Sequence, residues 1–303
     1  MEVSVIIPVY NKKDYLTDCL RSVLSQDFDD FEVIAVNDGS RDGSGELLQQ
    51  LAREHDRLRV YHTENKGVTS ARRYGVERST GRYIMFVDAD DRLLPGAISH
   101  LYAQIERTGA DEVIAPHVDQ YGRLNDSGRR GWQEPLPMLR ELLAVKFTFC
   151  VLWSVIFRRQ LLEGTLEAPR IIRNGEDILM QIACLAKRPK VFFTDKPVYL
   201  YYKGLPNDRL LNLDEEMAYD HMLREVLAPV WKEVKDHYTL HQLKIYENFI
   251  ENRQFSAYRQ YYHTIKRQMT PRLPLQDRLV YWLPPRLAYA VVHPYKWWMR
   301  HRG

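Results

Sequence analysis

The sequence predicts an α/β protein with a mostly parallel central sheet, helices on both faces, and a helical C-terminal extension. Three observations predict it. Strand-like and helix-like segments alternate through the first hundred residues, the pattern that builds parallel sheets from crossover units. In Val3–Val9 the apolar residues run together rather than alternate, as in strands buried on both faces. Past residue 213 the pattern turns helical, interrupted from Pro271 onward.

Val3–Val9 reads as the first strand. The helix after it sets Tyr15, Leu16, Cys19, Leu20, Val23 and Leu24 on one stripe. Phe31–Val36 is the second strand, and Ser44 is expected to cap the helix carrying Leu47, Leu48 and Leu51. Arg59–His62 is a third strand, Thr69–Ser79 a helix stopped near Gly81, and Tyr83–Val87 a fourth strand. Pro95 is expected in the first turn of a helix that ends at Gly109. Glu112–Ala115 reads as a strand and the polar, Gly-rich residues 117–135 as a loop or hairpin. Leu136–Val145 and Asp177–Lys187 read as helices, Val191–Thr194 and Val198–Tyr202 as short strands. Residues 1–212 are thus one α/β domain and 213–303 a helical, basic, aromatic-rich region.

With 303 residues, 45% of them hydrophobic, the chain can bury a full core, and nothing suggests repeats or low complexity. Cys19, Cys150 and Cys184 are scattered without a CxxC pair, which argues against zinc and disulfide frameworks and for a reducing cytoplasm. Met1 leads straight into Val3, Val5, Ile6 and Ile7, so no signal peptide is expected. No stretch approaches the roughly 18 apolar residues of a spanning helix. The net charge of +3 hides an asymmetry. From Arg253 onward ten Lys and Arg face the single acid Asp277, a tail of +9 on a body of −6. Such a tail suits an anionic partner surface.

In a parallel sheet, sites lie at the carboxyl ends of the strands. Asp38 follows the second strand in Val36-Asn37-Asp38-Gly39-Ser40, and Asp88, Asp90 and Asp91 follow the fourth. Three acids in four residues repel one another unless a cation or donors neutralise them. Asp88 and Asp90 offer hard oxygens to Mg²⁺ or Mn²⁺, which also bind diphosphate. The alternative is that Asp91 caps the next helix and Asp88 and Asp90 are ordinary loop acids. A dinucleotide-binding site is disfavoured, because Pro8-Val9-Tyr10-Asn11-Lys12-Lys13 at the first strand–helix turn contains no glycine. The Walker pattern is absent as well.

Taken together, these residues resemble family 2 glycosyltransferases of the GT-A fold. The resemblance runs through Val5-Ile6-Ile7-Pro8-Val9-Tyr10-Asn11, Leu20, Ser25-Gln26, Val36-Asn37-Asp38-Gly39-Ser40, Asn65-Lys66-Gly67, Ala71-Arg72, Gly81-Arg82-Tyr83-Ile84 and Asp88-Ala89-Asp90-Asp91. It continues more weakly through Trp153 to Leu162 and Gly175-Glu176-Asp177, to about residue 205. It implies that Pro8, Val9 and Tyr10 line a nucleotide pocket and that Asp38 accepts a hydrogen bond from the base, usually uracil. It implies that Arg72 approaches the nucleotide, Asp88 the ribose or metal, Asp90 the metal, and Lys203 the diphosphate. Asp177 is implied as general base, with Glu176 beside it. Many relatives carry a lysine where this chain has Val155. Other readings stand beside these: Tyr10 as a packing aromatic, Arg72 as a surface residue, Lys203 as a solvated lysine, and Glu176 and Asp177 as acids favouring a helix N-terminus.

The expected reaction is therefore a metal-dependent, inverting transfer, of hexosyltransferase type, from a UDP-sugar to a glycan or lipid-linked glycan in bacterial surface polysaccharide biosynthesis. The tail mixes Tyr281, Trp282, Tyr289, Tyr295, Trp297 and Trp298 with Arg272, Arg278, Arg286, Lys296, Arg300 and Arg302. Aromatic and basic residues together suit the headgroup region of an anionic membrane. A cytoplasmic enzyme peripheral to the inner face of the cell membrane is expected, the alternative being a helical cap on the catalytic domain. No nucleic-acid-binding motif accompanies the charge. The second function class is a catalytically silent sugar-nucleotide or glycan binder on the same fold.

Overall fold

The apolar runs do form the strands, and the strands do stack in parallel. A computed structural model describes residues 1–146, 149, 152–202, 212–255 and 282–300. The chain runs β1 (Val3–Val9), α1 (Lys13–Leu24), β2 (Phe31–Asp38), α2 (Ser44–Glu54), β3 (Leu58–Thr63), α3 (Val68–Arg78) and β4 (Tyr83–Phe86). These four strands lie side by side as β3-β2-β1-β4, all parallel. Every residue of β1 and β2 is buried. Alternate residues face opposite cores: Val5, Ile7, Val33 and Ala35 pack towards α1, α2 and α4, and Ile6, Ile34 and Val36 towards α3 and the helices that follow. Both faces are covered, which is why the strands read as unbroken apolar runs.

The sheet continues with shorter pieces. After β5 (Arg92–Leu93) and α4 (Ala97–Thr108) come β6 (Glu112–Ile114), β7 (His117–Asp119), β8 (Leu124–Asn125), β9 (Gly131–Gln133) and α5 (Pro135–Leu143). Next are β10 (Val155–Arg158), α6 (Glu176–Ala186), β11 (Val191–Phe193) and β12 (Tyr199–Tyr201). The full order is β3-β2-β1-β4-β10-β6-β11-β9, with β10 antiparallel to both β4 and β6. A second sheet, β5-β12-β7-β8, is tied through Tyr199 to Asp88 and Asp91 after the end of β4. The polar stretch at 117–135 therefore holds three short strands. Two expected helix starts differ. The N-cap of α2 is Gly43, in the left-handed region, and Ser44 is the first helical residue. Its hydroxyl donates to Asp42 and accepts from the Lys12 amide, so it ties two loops together. Pro95 lies before α4, whose N-cap is Gly96, again left-handed.

Among the described residues the C-terminal region holds α7 (Leu213–Leu227), α8 (Trp231–Glu251) and α9 (Pro285–Arg300). The hydrophobic core crosses residue 212 without a break: Tyr219, Leu223, Leu227, Val234 and Tyr238 share one cluster with Leu139, Leu142, Leu179 and Ile182. By contrast α9 rests on α8 through a small separate cluster, Ala288 against Leu243, Tyr246 and Phe249. Among the described residues no helix is long and apolar enough to cross a membrane.

Candidate active site

The carboxyl ends of β1, β2 and β4 open into a cleft of about 660 Å³. Pro8, Val9 and Tyr10 of the first turn line it, with Asp38, Arg72, Asp88, Ala89, Asp90, Glu176 and Asp177. All but one of the residues singled out from the sequence thus meet in one place. The exception is Lys203, which lies outside the described residues. Tyr10 is nearly half exposed, at 47%, so it is a cleft aromatic rather than a core one. Arg72 is only 4% exposed, so it is no surface residue.

Two turns lock the wall built from the ends of β1 and β2. The Asn11 amide donates to the Ser40 hydroxyl and the Asn11 side chain accepts from the Arg41 amide. Lys13 donates its amide to Asp42. Asp38 is buried, and its carboxylate receives the amides of Lys66 at 2.8 Å and Gly67 at 2.9 Å. This aspartate pins the loop that begins α3. Gly39 is at φ +72°, and a Cβ there would lie 2.9 Å from the Asn65 amide nitrogen. Only glycine combines that backbone angle with that approach.

Arg72 joins the two groups of acids. Its guanidinium is 2.9 Å from Asp88 and 3.7 Å from Glu176. A buried guanidinium is tolerable only when paired, and here the partners come from β4 and from the start of α6. Asp90 has its own cation, Lys12, at 2.5 Å. Asp91 does not cap α4. It is buried, accepts the Tyr199 hydroxyl at 2.9 Å and the Tyr202 amide at 2.8 Å, and so fastens β12 to the acid cluster. Burial, with Asp88 and Asp90 nearby, pushes its carboxyl up to about 8.

Glu176 and Asp177 open α6 behind the left-handed Gly175. A helix N-terminus by itself would favour the ionised form. The net direction is the opposite. Burial pushes Glu176 up to about 7 against the pull of Arg72, and it raises Asp177 as well. Capping alone does not account for two desolvated acids lining a cleft. Val155, the position where many relatives have lysine, is fully buried in β10 and offers the cleft nothing.

Several cleft residues escaped the sequence reading. Lys12 was visible as a turn residue, but its pairing with Asp90 spans 78 positions. Arg170, Arg173 and Asn174 enter from the segment before α6, Tyr201 from β12 and Tyr202 just after it. Tyr201 stacks on Trp153 with ring centroids 4.8 Å apart and planes 6° apart, which gives the cleft a rigid aromatic side.

As to metal, the donor chemistry fits. Asp88 and Asp90 present hard oxygens to the cleft, each balanced by a protein cation. Among the described residues no group of three or more His, Cys, Asp or Glu side chains is arranged to hold a metal. A divalent ion here would therefore complete its shell with ligand oxygens and water, as Mg²⁺ commonly does.

The Tyr199 hydroxyl also accepts the Asp88 amide, at 3.1 Å, so it serves both acids. Replacing Tyr199 with Phe leaves two buried polar groups without this partner. An expected loss of about 1–3 kcal/mol in unfolding free energy follows. Urea titration of Tyr199→Phe measures it, and a loss under about 0.5 kcal/mol would mean that other groups satisfy both acids.

Comparison with known proteins agrees with this geometry. The family model for "Glycosyl transferase family 2" matches residues 4–165, more than half of the chain. The EpsJ glycosyltransferase of Bacillus subtilis (strain 168) is 31% identical over 237 residues, covering 74% of this chain and 67% of EpsJ. The glycosyltransferase GlyG of Streptococcus pneumoniae serotype 4 is 40% identical over 118 residues, 39% of each protein. Among solved structures, S. aureus TarS 1–349 in complex with UDP matches with a TM-score of 0.62 at 18% identity, covering 95% of this chain and 80% of that one. The same TarS fragment has been solved with UDP-GlcNAc, with a TM-score of 0.62. At that identity the likeness concerns the fold, which is GT-A-like: a mostly parallel sheet flanked by helices, with a helical C-terminal region. On the family match and the identity to EpsJ together, the chain belongs to glycosyltransferase family 2.

Proposed function

We propose that the chain is an inverting glycosyltransferase of hexosyltransferase type that takes a sugar from UDP. The acceptor is a glycan or lipid-linked glycan in the assembly of a bacterial surface polysaccharide. The observation that carries this reading is the convergence, through Arg72, of Asp88 and Asp90 with Glu176 and Asp177 in one cleft. Four acids and a buried arginine suit a reaction that takes a proton from one side and releases a diphosphate on the other. The TarS complexes with UDP and UDP-GlcNAc support a UDP-sugar as the donor class.

In this mechanism Pro8, Val9 and Tyr10 hold the nucleoside. Asp38, whose oxygens have lone pairs beyond those given to Lys66 and Gly67, accepts from the base. Arg72 and Lys12 offset diphosphate charge, and Lys203 joins them on the resemblance alone. The Asp177 carboxylate takes the proton of an acceptor hydroxyl. The hydroxyl oxygen attacks the anomeric carbon from the face opposite the diphosphate, the bond from that carbon to the diphosphate breaks, and the configuration inverts. Such base catalysis is worth roughly 10²–10⁴-fold. Asp90, with Asp88, would hold Mg²⁺ or Mn²⁺, which when bound supplies Lewis-acid stabilisation of the leaving diphosphate.

Asp177→Asn keeps the shape and cannot take the proton, so donor affinity should stay near normal while kcat falls roughly 10²–10⁴-fold. Transfer by the parent protein should fall on acidification at a higher pH than an ordinary aspartate would give, because burial raises the Asp177 carboxyl and so favours its protonated form. A near-normal kcat in Asp177→Asn shifts the base role to Glu176, and no turnover by the parent on any donor favours a silent binder.

Metal dependence is read from UDP affinity. Mn²⁺ should tighten UDP binding to the parent protein, and EDTA or Asp90→Ala should remove the gain. Equal affinities in all cases rule out the metal role of Asp90.

The tail is proposed to hold the enzyme on the anionic inner face of the cell membrane. On α9, Ala288 and Tyr289 pack towards α8 while Leu287 and Val291, and Trp282 just before the helix, are each more than half exposed. Thus Tyr289 acts as a cap, and a separate apolar face, beside the exposed Arg286, is left to solvent. The side chains of Tyr281, Tyr295, Trp297 and Trp298 lie outside the described set. Lys and Arg near an anionic surface contribute about 1 kcal/mol each, weakened by salt. Buried apolar area is not weakened by salt. Full-length protein should sediment with phosphatidylglycerol vesicles more than with neutral ones, and high salt should release only part. Truncation before Pro271 should abolish sedimentation. If both forms remain in the supernatant, the tail is a cap and the membrane assignment fails.

A further inference from the structure

The acids of α6 are reached by a turn that the C-terminal region holds in place. Glu215, in the first turn of α7, is 4% exposed. Its Oε1 accepts the backbone amides of Arg173 at 2.6 Å and Asn174 at 2.8 Å. Its Oε2 lies 3.6 Å from the Arg173 guanidinium. Asn212 caps the helix and takes the Asp214 and Glu215 amides, which fixes Glu215 in turn. One helical turn on, Tyr219 lies under Gly175: a Cβ on that glycine, at φ +78°, would be 3.2 Å from the Tyr219 ring. Tyr219 is itself backed by His241 of α8, the rings 5.8 Å apart and nearly parallel. Residues 173, 174 and 175 immediately precede Glu176 and Asp177. The chain therefore spends one buried carboxylate and one buried ring on the three residues that aim its two cleft acids.

We propose that Glu215 is a positioning residue for Glu176 and Asp177, so that α7 is part of the transferase site although it lies outside the segment that the family pattern matches. The proposal rests on the transferase reading above. The chemistry is that of an acceptor for adjacent amides. Two backbone N–H groups in a turn have no ladder partner, and a carboxylate serves both and pairs with the arginine of the same turn. Without it the turn is free to find other partners. A shift of about 1 Å in a reacting group is enough to cost roughly 10²-fold.

The test uses the full chain with Glu215→Ala, Glu215→Gln, and Glu225→Ala as an exposed control on the same helix. UDP affinity is measured with Mn²⁺, turnover as UDP release from a panel of UDP-sugars well below each variant's melting temperature, and hydrogen exchange on peptides covering 170–178. Glu215→Ala should bind UDP within about threefold of the parent, lose roughly 10- to 100-fold in kcat, and exchange faster at 173–175. Glu215→Gln keeps one oxygen for the amides and should recover much of both. A purely structural role would lower melting temperature and leave kcat and the Ala-to-Gln rescue unmoved. Unchanged kcat in Glu215→Ala overturns the proposal, whether or not exchange at 173–175 changes. A parent protein that neither binds UDP nor releases it defeats the transferase reading instead. The exchange arm then decides the clamp by itself: faster exchange keeps it and unchanged exchange overturns it.

Discussion

A buried guanidinium organises this molecule. Arg72 cannot be left unpaired in the interior, and neither Asp88 nor Glu176 can be left unpaired beside the other acids. Their pairing solves both problems at once and connects Asp88, after the end of β4, to Glu176 at the start of α6, 88 positions apart by number. Much of the surrounding structure follows from it. Gly75 lets α3 approach β1 closely, with Ile6 beneath it, and that approach sets Arg72 at the strand ends. Asp38 fixes the loop at the head of the same helix. Lys12 neutralises Asp90, the acid that Arg72 does not serve.

The parts legible in the sequence are those set by local or periodic constraints. The strands β1, β2 and β4 showed as largely apolar segments because both of their faces are buried. The acids at strand ends stood out because a parallel sheet delivers every such end to one edge. What was not legible is what depends on pairing across the fold. Ser44 has the composition of a helix cap, yet its hydroxyl is taken by Asp42 and Lys12. Asp91 has the same composition, yet the Tyr199 hydroxyl and Tyr202 amide claim it. Both are cases where tertiary partners outbid a local motif. Glu215 carried no signal, since an acid in the first turn of a helix is common. The resemblance to the family had supplied the roles of Glu176 and Asp177; the residues alone left the helix-terminus reading open, and burial now weighs against it.

The division of the chain looks different once the core is considered. Composition marks residue 213 as a change from α/β to helical. Packing does not, because α7 and α8 bury Tyr219, Leu223, Val234 and Tyr238 in the same cluster as α5 and α6. The weaker junction comes later, where α9 touches α8 through Ala288 and a few neighbours. Among the described residues α9 is joined to the rest through that small cluster, which leaves it able to engage an outside surface without disturbing the cleft. A helix such as α7 that shares the main core cannot move without moving what it supports.

This arrangement gives the two walls of the cleft different histories in the chain. The wall formed by β1, β2, β4 and α3 comes from the first hundred residues, and the family pattern covers all of it. The opposing acids, and the Glu215 that holds their turn, lie beyond residue 165 where that pattern stops. In the proposed reaction the first wall meets a nucleoside diphosphate, whose charge and hydrogen-bonding groups are the same whichever sugar is carried. Its residues are constrained one by one, so they recur as a readable motif. The second wall must place a carboxylate against an acceptor whose shape differs between enzymes. What has to be preserved there is the position of a carboxylate rather than the sequence that positions it, and a buried glutamate from a later helix is one of many ways to meet that need. In the proposed reaction such a site discloses in sequence its donor side and the acids of Gly175-Glu176-Asp177, and only in structure the glutamate that holds those acids in place.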